Sequence, residues 1–120
     1  MIVGAAAVEL LIHGSQSLKA KRGVVRSISQ RVRNRFNVSV AEVGGQGTWQ
    51  RAVLGISAAG AEAALVRRVL ERSVEFIEAL QLAEVLSADF EIIALPYEAG
   101  EAPWNLEDEE DAPDDEEGEA

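Results

Sequence analysis

The chain has 120 residues, no cysteine, a single histidine and a formal net charge of −10 at pH 7. Its length fits one domain with its own core, and the lack of cysteine excludes disulfides, thiolate metal sites and cysteine nucleophiles. One histidine is too few for a typical zinc site, so we predict no metal and no cofactor. The apolar run Ile2 to Ile12 is too short to cross a bilayer and lacks the features of a signal peptide. The sequence therefore predicts a cytoplasmic protein with no membrane association.

The charge divides the chain into two parts. Residues 1–95 hold all 11 Lys/Arg and 9 acids, whereas residues 96–120 hold the other 12 acids and no base. The second part has no apolar periodicity, and its like charges repel one another. We therefore predict a folded, mildly basic domain over 1–95 and a disordered acidic tail over 96–120. Three interpretations of the tail stay open: a solubilising extension, a segment that folds back on the basic domain and masks it, or a protein-binding motif around Trp104.

The first predicted element is a strand. Ile2 to Ile12 is an almost continuous apolar run that only Glu9 interrupts, which favours a central strand buried on most of both faces. A buried helix is the competing interpretation. Gly14 and Ser15 disfavour it, because they stop the run just before a stronger helical pattern.

The second element is a basic helix from about Leu18 to Arg35, which Ser17 or Ser15 can cap. Its apolar stripe consists of Leu18, Val24, Val25, Ile28 and Val32. A second face carries Lys19, Arg22, Arg26 and Arg33, which fall within about 60° of each other. Lys21 lies by angle on the apolar stripe, so we expect its ammonium group to reach solvent or a partner. No acid occurs between residues 10 and 41.

The remaining pattern gives two strands, a helix and a last strand. Val38 to Val43 alternates as a strand, a glycine-rich hairpin loop follows, and Trp49 to Ala59 reads as a second apolar, central strand. Ala61 to about Leu80 repeats apolar residues at helical spacing, and Glu84 to Leu95 alternates as the final strand.

The predicted order is thus β-α-β-β-α-β. With right-handed crossovers and one hairpin, it gives an α+β fold of the ferredoxin-like type, a sandwich with a four-stranded antiparallel sheet and two helices on one face. This topology places the two most apolar strands, the first and the third, in the middle of the sheet.

Several short motifs stand close together in residues 17–50. They are Ser17-Leu18-Lys19, Lys21-Arg22, Val25, Ser27, Arg31, Phe36-Asn37-Val38-Ser39, Ala41-Glu42-Val43 and Trp49-Gln50. Together they resemble the YlxP-like family, a bacterial domain of unknown function (503), and the resemblance covers roughly residues 1–93. It implies a ferredoxin-like fold and a bacterial setting, often beside translation genes, with no established activity.

The start of the basic helix is the strongest functional candidate. A helix N-terminus attracts anions and disfavours cations, yet Lys19, Lys21 and Arg22 stand in its first turns, beside Ser15 and Ser17. This placement indicates an anion or phosphate site. Arg26 and Arg33 extend the same surface along the helix, as contact with a nucleic-acid backbone requires. The ordinary alternative is a solvated basic face.

The hairpin supplies the second candidate, formed by Trp49, Gln50 and Arg51. Trp49 is a candidate for stacking on a base, and its ordinary interpretation is a strand-end residue that covers the sheet edge. Glu9 and Glu42 are lone acids in apolar strands and could form a carboxylate pair for acid/base chemistry. The favoured interpretation is that they face outward, or that Glu42 pairs with Arg51 across the hairpin.

The sequence as a whole predicts a small non-enzymatic factor that binds RNA or the ribosome through the basic helix and its N-terminal loop. The alternative is a dimeric regulatory or interaction module that binds a small anion at the same loop and pairs through its exposed sheet face. An enzyme acting on phosphoryl or acyl groups has the least support, because no nucleophile and base are evident. We therefore assign no catalytic residue.

Overall fold

The computed structural model describes residues 1–45 and 48–96. Its elements in chain order are β1 (Ile2–Leu11), α1 (Leu18–Arg35), β2 (Ser39–Gly44), β3 (Arg51–Gly60), α2 (Ala63–Leu80) and β4 (Glu84–Ala94). All six predicted elements are present, and each end lies within two residues of the expected position. Residues 97–120 of the predicted tail, including Trp104, lie outside the described residues, as do Gln46 and Gly47 of the hairpin loop.

The four strands form one sheet in the order β2-β3-β1-β4. Each neighbouring pair is antiparallel, so β1 and β3 occupy the middle and β2 and β4 the edges. This confirms the predicted ferredoxin-like α+β fold and the central position of the two most apolar strands. Within the part of the chain that the structure describes, no helix is long and apolar enough to cross a membrane.

The core lies between the two helices and one face of the sheet. Every second side chain of a strand points to the same face, and these inward positions are buried together with one stripe of each helix. The buried apolar residues are Ala6, Val8, Leu10, Ile12, Val25, Ile28, Val32, Val40, Ala52, Leu54, Ile56, Val66, Leu70, Val74 and Ile77. The apolar stripes predicted for the helices therefore face the sheet.

Gly4 lets α2 approach β1 closely. A Cβ atom at this position would lie 2.7 Å from a methyl group of Val66 and 2.8 Å from methyl groups of Leu70 and Ile92. Only glycine leaves room for all three side chains at their present positions. Gly4 is thus a position in β1 where the absence of a side chain permits close packing against a helix.

The other face of the sheet is open in the described chain. Ala5 and Ala7 of β1 are exposed, while Gly4, Ala6 and Val8 between and beside them are buried. The prediction that β1 is buried on most of both faces was therefore wrong. The reason is that both helices cover the same face, and a run of alanine and valine does not show by itself which residues face solvent.

Candidate functional site

The loop before α1 caps the helix. Ser17 is the N-cap residue, and its Oγ accepts a hydrogen bond from the Ala20 amide at 3.0 Å. Ser15 is buried, and its hydroxyl donates to the Ser17 carbonyl oxygen at 3.2 Å. The predicted cap is confirmed, and both hydroxyl groups form bonds within the loop and the first turn.

Lys21 lies in the interior, with 2% of its surface exposed. Its Nζ donates to the carbonyl oxygens of Gly45 at 2.8 Å and Arg51 at 3.2 Å, and it lies 3.4 Å from Glu42 Oε2. Two of the three donors of the ammonium group thus bond to carbonyl oxygens, and the Glu42 carboxylate lies within ion-pair distance. The sequence placed Lys21 on the apolar stripe and predicted that its ammonium group would reach solvent or a partner, and the structure shows the second of these.

The burial of Lys21 argues against the anion-binding role that its position in the first turns of α1 suggested. A side chain that is buried, bonded to two carbonyl oxygens and placed beside a carboxylate does not face a ligand in solution. Lys21 instead joins the first turns of α1 to the base of the β2–β3 hairpin. We therefore leave it out of the proposed interface and treat it as a residue that positions the hairpin.

The hairpin base is built around the same two carbonyl groups. The Thr48 hydroxyl contacts Gly45 O at 3.0 Å and Arg51 O at 3.1 Å. Gly45 adopts a φ of +79°, and a Cβ there would lie 2.7 Å from Arg51 O. Both its conformation and this close approach require glycine. Together, Lys21, Thr48 and Gly45 fix where the hairpin leaves the sheet.

Lys19, Arg22 and Arg26 are exposed on the outer face of α1. Within residues 1–45 and 48–96, the ion pairs involve Lys21, Arg51, Arg67 and His13, and no carboxylate pairs with these three cations. Helical geometry places them about 100° to 160° around the helix axis from Lys21. The structure thus brings these predicted residues together on one surface and turns that surface away from the buried lysine.

Arg33 continues the same face toward the end of α1. Its Nη2 donates to Val40 O at 2.8 Å, and β2, which contains Val40, is an edge strand. One N–H group of Arg33 therefore bonds to the backbone carbonyl oxygen of Val40 at the edge of the sheet. Arginine has further N–H groups, so this contact fixes the position of the guanidinium group beside the exposed cations.

Two more arginines stand at the far end of α1, and the sequence-based prediction did not include them. Arg31 Nε donates to Ser27 Oγ at 3.2 Å. The guanidinium carbon of Arg35 lies 5.9 Å from the centre of the Phe36 ring and 5.4 Å from that of Phe76. The second contact joins two helices, so neither the spacing of charges in α1 nor its apolar stripe could indicate it.

The three hairpin residues singled out by the sequence have different environments. Trp49 is 55% exposed. Gln50 offers its backbone carbonyl to the Ile12 amide at 2.7 Å, which ties the loop to the end of β1. Arg51 Nη1 bonds to Glu9 Oε2 at 2.6 Å on the open face of the sheet.

Both arrangements favoured for Glu42, an outward side chain and a pair with Arg51, were wrong, whereas Glu9 does face outward. Glu42 points to the helix side of the sheet, where it meets Lys21, whereas Arg51 points to the opposite side, where it meets Glu9. The register shifts between Glu42 and Gly44. Because neighbouring positions on a strand face opposite sides, a small change in register decides which acid an arginine can reach.

The comparison of sequences places the chain among uncharacterised proteins. Residues 3–90 match the family described as "Protein of unknown function (DUF503)". The chain is also 42% identical over 77 residues to "Uncharacterized protein YlxP" of Bacillus subtilis (strain 168), across 64% of this chain and 84% of that protein. Neither description states an activity, a ligand or a partner.

The comparison of structures gives distant matches. Protein YJCS, a structural genomics target, has a TM-score of 0.48 at 10% identity and is matched over 74% of this chain and 96% of that chain. The de novo designed protein Foldit4 has a TM-score of 0.47 at 15% identity, over 80% of this chain and 100% of that chain. Similarity at this level carries no information about function.

Proposed function

Since the chain belongs to the DUF503 family, whose function is unknown, we propose a function from its own residues: it is a small non-enzymatic cytoplasmic factor that binds RNA or the ribosome. The interface is the outer face of α1, with Lys19, Arg22 and Arg26 as its exposed cations and Arg33 at its end. The observation that carries this proposal is that an exposed, acid-free cationic face has no carboxylate partner among the described residues.

Helix stability does not explain why cations lie together in the first turns of α1. The first turn of α1 contains no acid, although acids are favourable and cations unfavourable near a helix N-terminus. By contrast, the outer face of α2 places Arg67 beside Glu71 at 3.9 Å, an ordinary i,i+4 pair. Like charges that lie together on α1 repel each other unless an external anion neutralises them.

The length of the face favours a polyanion over a single small anion. Lys19 and Arg33 are 14 positions apart, which corresponds to about 21 Å along a helix. Cations spread over that distance can contact several phosphates of a nucleic-acid backbone, whereas a single phosphate needs donors that converge on one point. The hydroxyl groups of Ser15 and Ser17 already bond within the loop, so the proposal rests on the helix face.

We assign the protein no catalytic role. His13 Nε2 lies 2.8 Å from Glu84 Oε1 at the surface, and within the described residues no serine or threonine hydroxyl bonds to its ring. Nucleophilic catalysis requires a nucleophile and a base within hydrogen-bond reach. This supports a binding role for the domain.

The proposal is tested by the affinity of the full chain for small ribosomal subunits and for ribosomal RNA. Arg22→Gln/Arg26→Gln removes two charges from the outer face of α1. Arg67→Gln/Arg68→Gln is the matched control, because it removes two charges from the exposed face of α2. Each phosphate contact contributes to affinity through counterion release. We expect the first variant to bind at least about tenfold more weakly than the second. Equal affinities of the two variants would refute the assignment of the interface to α1.

A further inference from the structure

The open face of the sheet has an unusual composition for a surface that meets water. Along the two central strands, the outward positions are small or apolar except for one ion pair. They are Val3, Ala5, Ala7, Glu9 and Leu11 in β1, and Arg51, Val53, Gly55, Ser57 and Ala59 in β3. An antiparallel sheet whose second face is solvated normally alternates apolar and polar residues. This composition indicates that the face is covered by something in solution.

The edge strands add apolar groups around this small-residue centre. Val43 of β2 is 59% exposed and Ile93 of β4 is 52% exposed. Gly55 carries no side chain, and a groove of about 280 Å³ lies over it between β1 and β2. The face is therefore hollow in the middle, with apolar side chains at Val43 and Ile93 on its two edges, a shape that allows another flat surface to approach closely.

The charges on this face argue against an anionic occupant. Its acids are Glu9, Asp89 and Glu91, with Glu84 level with Leu11 at the start of β4, and its arginine, Arg51, is already bonded to Glu9. A surface with excess acid repels the phosphates of RNA, and it repels the acidic residues 97–120 of the same chain. RNA and the tail are thus poor occupants of this face, although either could contact α1.

We propose that this face binds the same face of a second copy of the chain, with a two-fold axis that runs parallel to the strands between β1 and β3. Such an axis places β2 of each copy opposite β4 of the other. The acids on β4, Asp89 and Glu91, then meet the uncharged outward residues of β2, which are Ser39, Ala41 and Val43. An axis across the strands would instead bring the two β4 strands together and place their acids face to face.

The same axis suits the single ion pair on the face. Glu9 lies in β1 and Arg51 in β3, on either side of the axis. The two-fold operation therefore places the Glu9 of each copy over the strand that carries Arg51 in the other. Because Glu9 is level with Val53, the partner's Glu9 lies over Val53, two positions along β3 from Arg51. Each acid therefore covers the strand that carries the base of the other copy, as a self-complementary contact allows.

The area of the face is sufficient for a specific dimer. Four strands spaced by about 4.8 Å, with a length of about ten residues at 3.3 Å each, cover roughly 600 Å². Two such faces bury roughly 1,200 Å² in total, which is at the lower end of specific interfaces. We therefore expect a dimer whose dissociation is measurable. The outer face of α1 stays free in this arrangement, because the helices lie on the other side of the sheet.

Sedimentation velocity of the full chain over a wide concentration range tests the proposal. The most specific comparison is between two substitutions of opposite charge at one position. Ala41 lies level with Gly55, Ala7 and Asp89 across the sheet, so the axis places it opposite Asp89 of the partner subunit. We expect Ala41→Glu to weaken dimerisation by at least about tenfold through like-charge repulsion. Ala41→Lys should leave dimerisation unchanged or strengthen it, and Ala64→Glu, on the exposed surface of α2, should have no effect.

Three outcomes would overturn the proposal. One is a wild-type chain that remains monomeric at the highest concentration. Another is an equal change in dimerisation for Ala41→Glu and Ala41→Lys, which would show that no carboxylate of the partner subunit faces this position. The third is a chain that dimerises only after residues 97–120 are deleted, since this would show that the tail itself occupies the face. None of these outcomes bears on the affinity of α1 for RNA, which is measured separately.

Discussion

At the scale of single residues, Lys21 shows how one buried charge organises the end of the domain. Its ammonium group connects α1 to two backbone carbonyl groups and to Glu42. A buried ion pair is costly to desolvate, so it stabilises a fold mainly when every donor has a partner. Here two donors bond to carbonyl oxygens of the hairpin base and the Glu42 carboxylate lies 3.4 Å away, so Lys21 links α1 to that hairpin.

The contribution of Lys21 can be measured by urea unfolding. Lys21→Met keeps the approximate volume of the side chain but removes the buried ammonium group that bonds to two carbonyl oxygens and lies 3.4 Å from the Glu42 carboxylate, so we expect a loss of about 3 kcal/mol in the free energy of unfolding. Glu42→Gln should cost only about 1 kcal/mol, because the ammonium group keeps its two carbonyl partners. The control is Lys19→Met, an exposed position in the same region of α1, which should change stability by less than about 0.5 kcal/mol. If Lys21→Met is as harmless as Lys19→Met, the buried ammonium group does not stabilise the hairpin base.

At the scale of elements, the sequence was sufficient to place both helices and all four strands. α1 was predictable because a capping serine, an apolar stripe and the end of the pattern at Phe36 agree with one another. The order of the strands followed from topology, since right-handed crossovers leave β1 and β3 in the middle. These features depend on local periodicity and on general rules of chain connection, both of which a single sequence contains.

The candidate site was less predictable, because its side chains meet residues that are distant in the chain. The angle of Lys21 on the helix indicated that it needed a partner, but the partners arrive from the hairpin, more than 20 positions later. Glu9 and Arg51, which bond across two strands, are 42 positions apart in the sequence. Arg35 meets Phe76 across two helices. Such pairs depend on exact register and on packing angles, which periodicity does not determine.

At the scale of the whole molecule, the two proposed surfaces lie on opposite sides of one sheet and have opposite charge. The outer face of α1 is cationic, whereas the open sheet face carries more acid than base. A dimer formed through the sheet would present two cationic faces directed away from each other. Two linked sites raise the affinity for a ligand that can reach both of them.

The acidic tail gives a separate prediction at this scale. Residues 96–120 carry 12 acids and no base, so they should compete with a polyanion for the cations of α1 at low salt, where screening is weak. We expect deletion of residues 97–120 to tighten the binding of RNA at low salt and to have little effect at high salt. The control is a full-length chain in which the acids of 107–117 are replaced by Asn and Gln, which should behave like the truncated chain. If neither variant differs from the wild type, the tail plays no part in binding.

The most direct test of the central claim is the salt dependence of RNA binding, measured for the wild type and for Arg22→Gln/Arg26→Gln. If these arginines contact phosphates, the plot of log affinity against log salt should become less steep by about 1.4 to 1.8, since each contact contributes about 0.7 to 0.9. Arg67→Gln/Arg68→Gln should keep the slope of the wild type. A slope that stays the same for both variants would contradict the claim that the cations of α1 bind a nucleic-acid backbone.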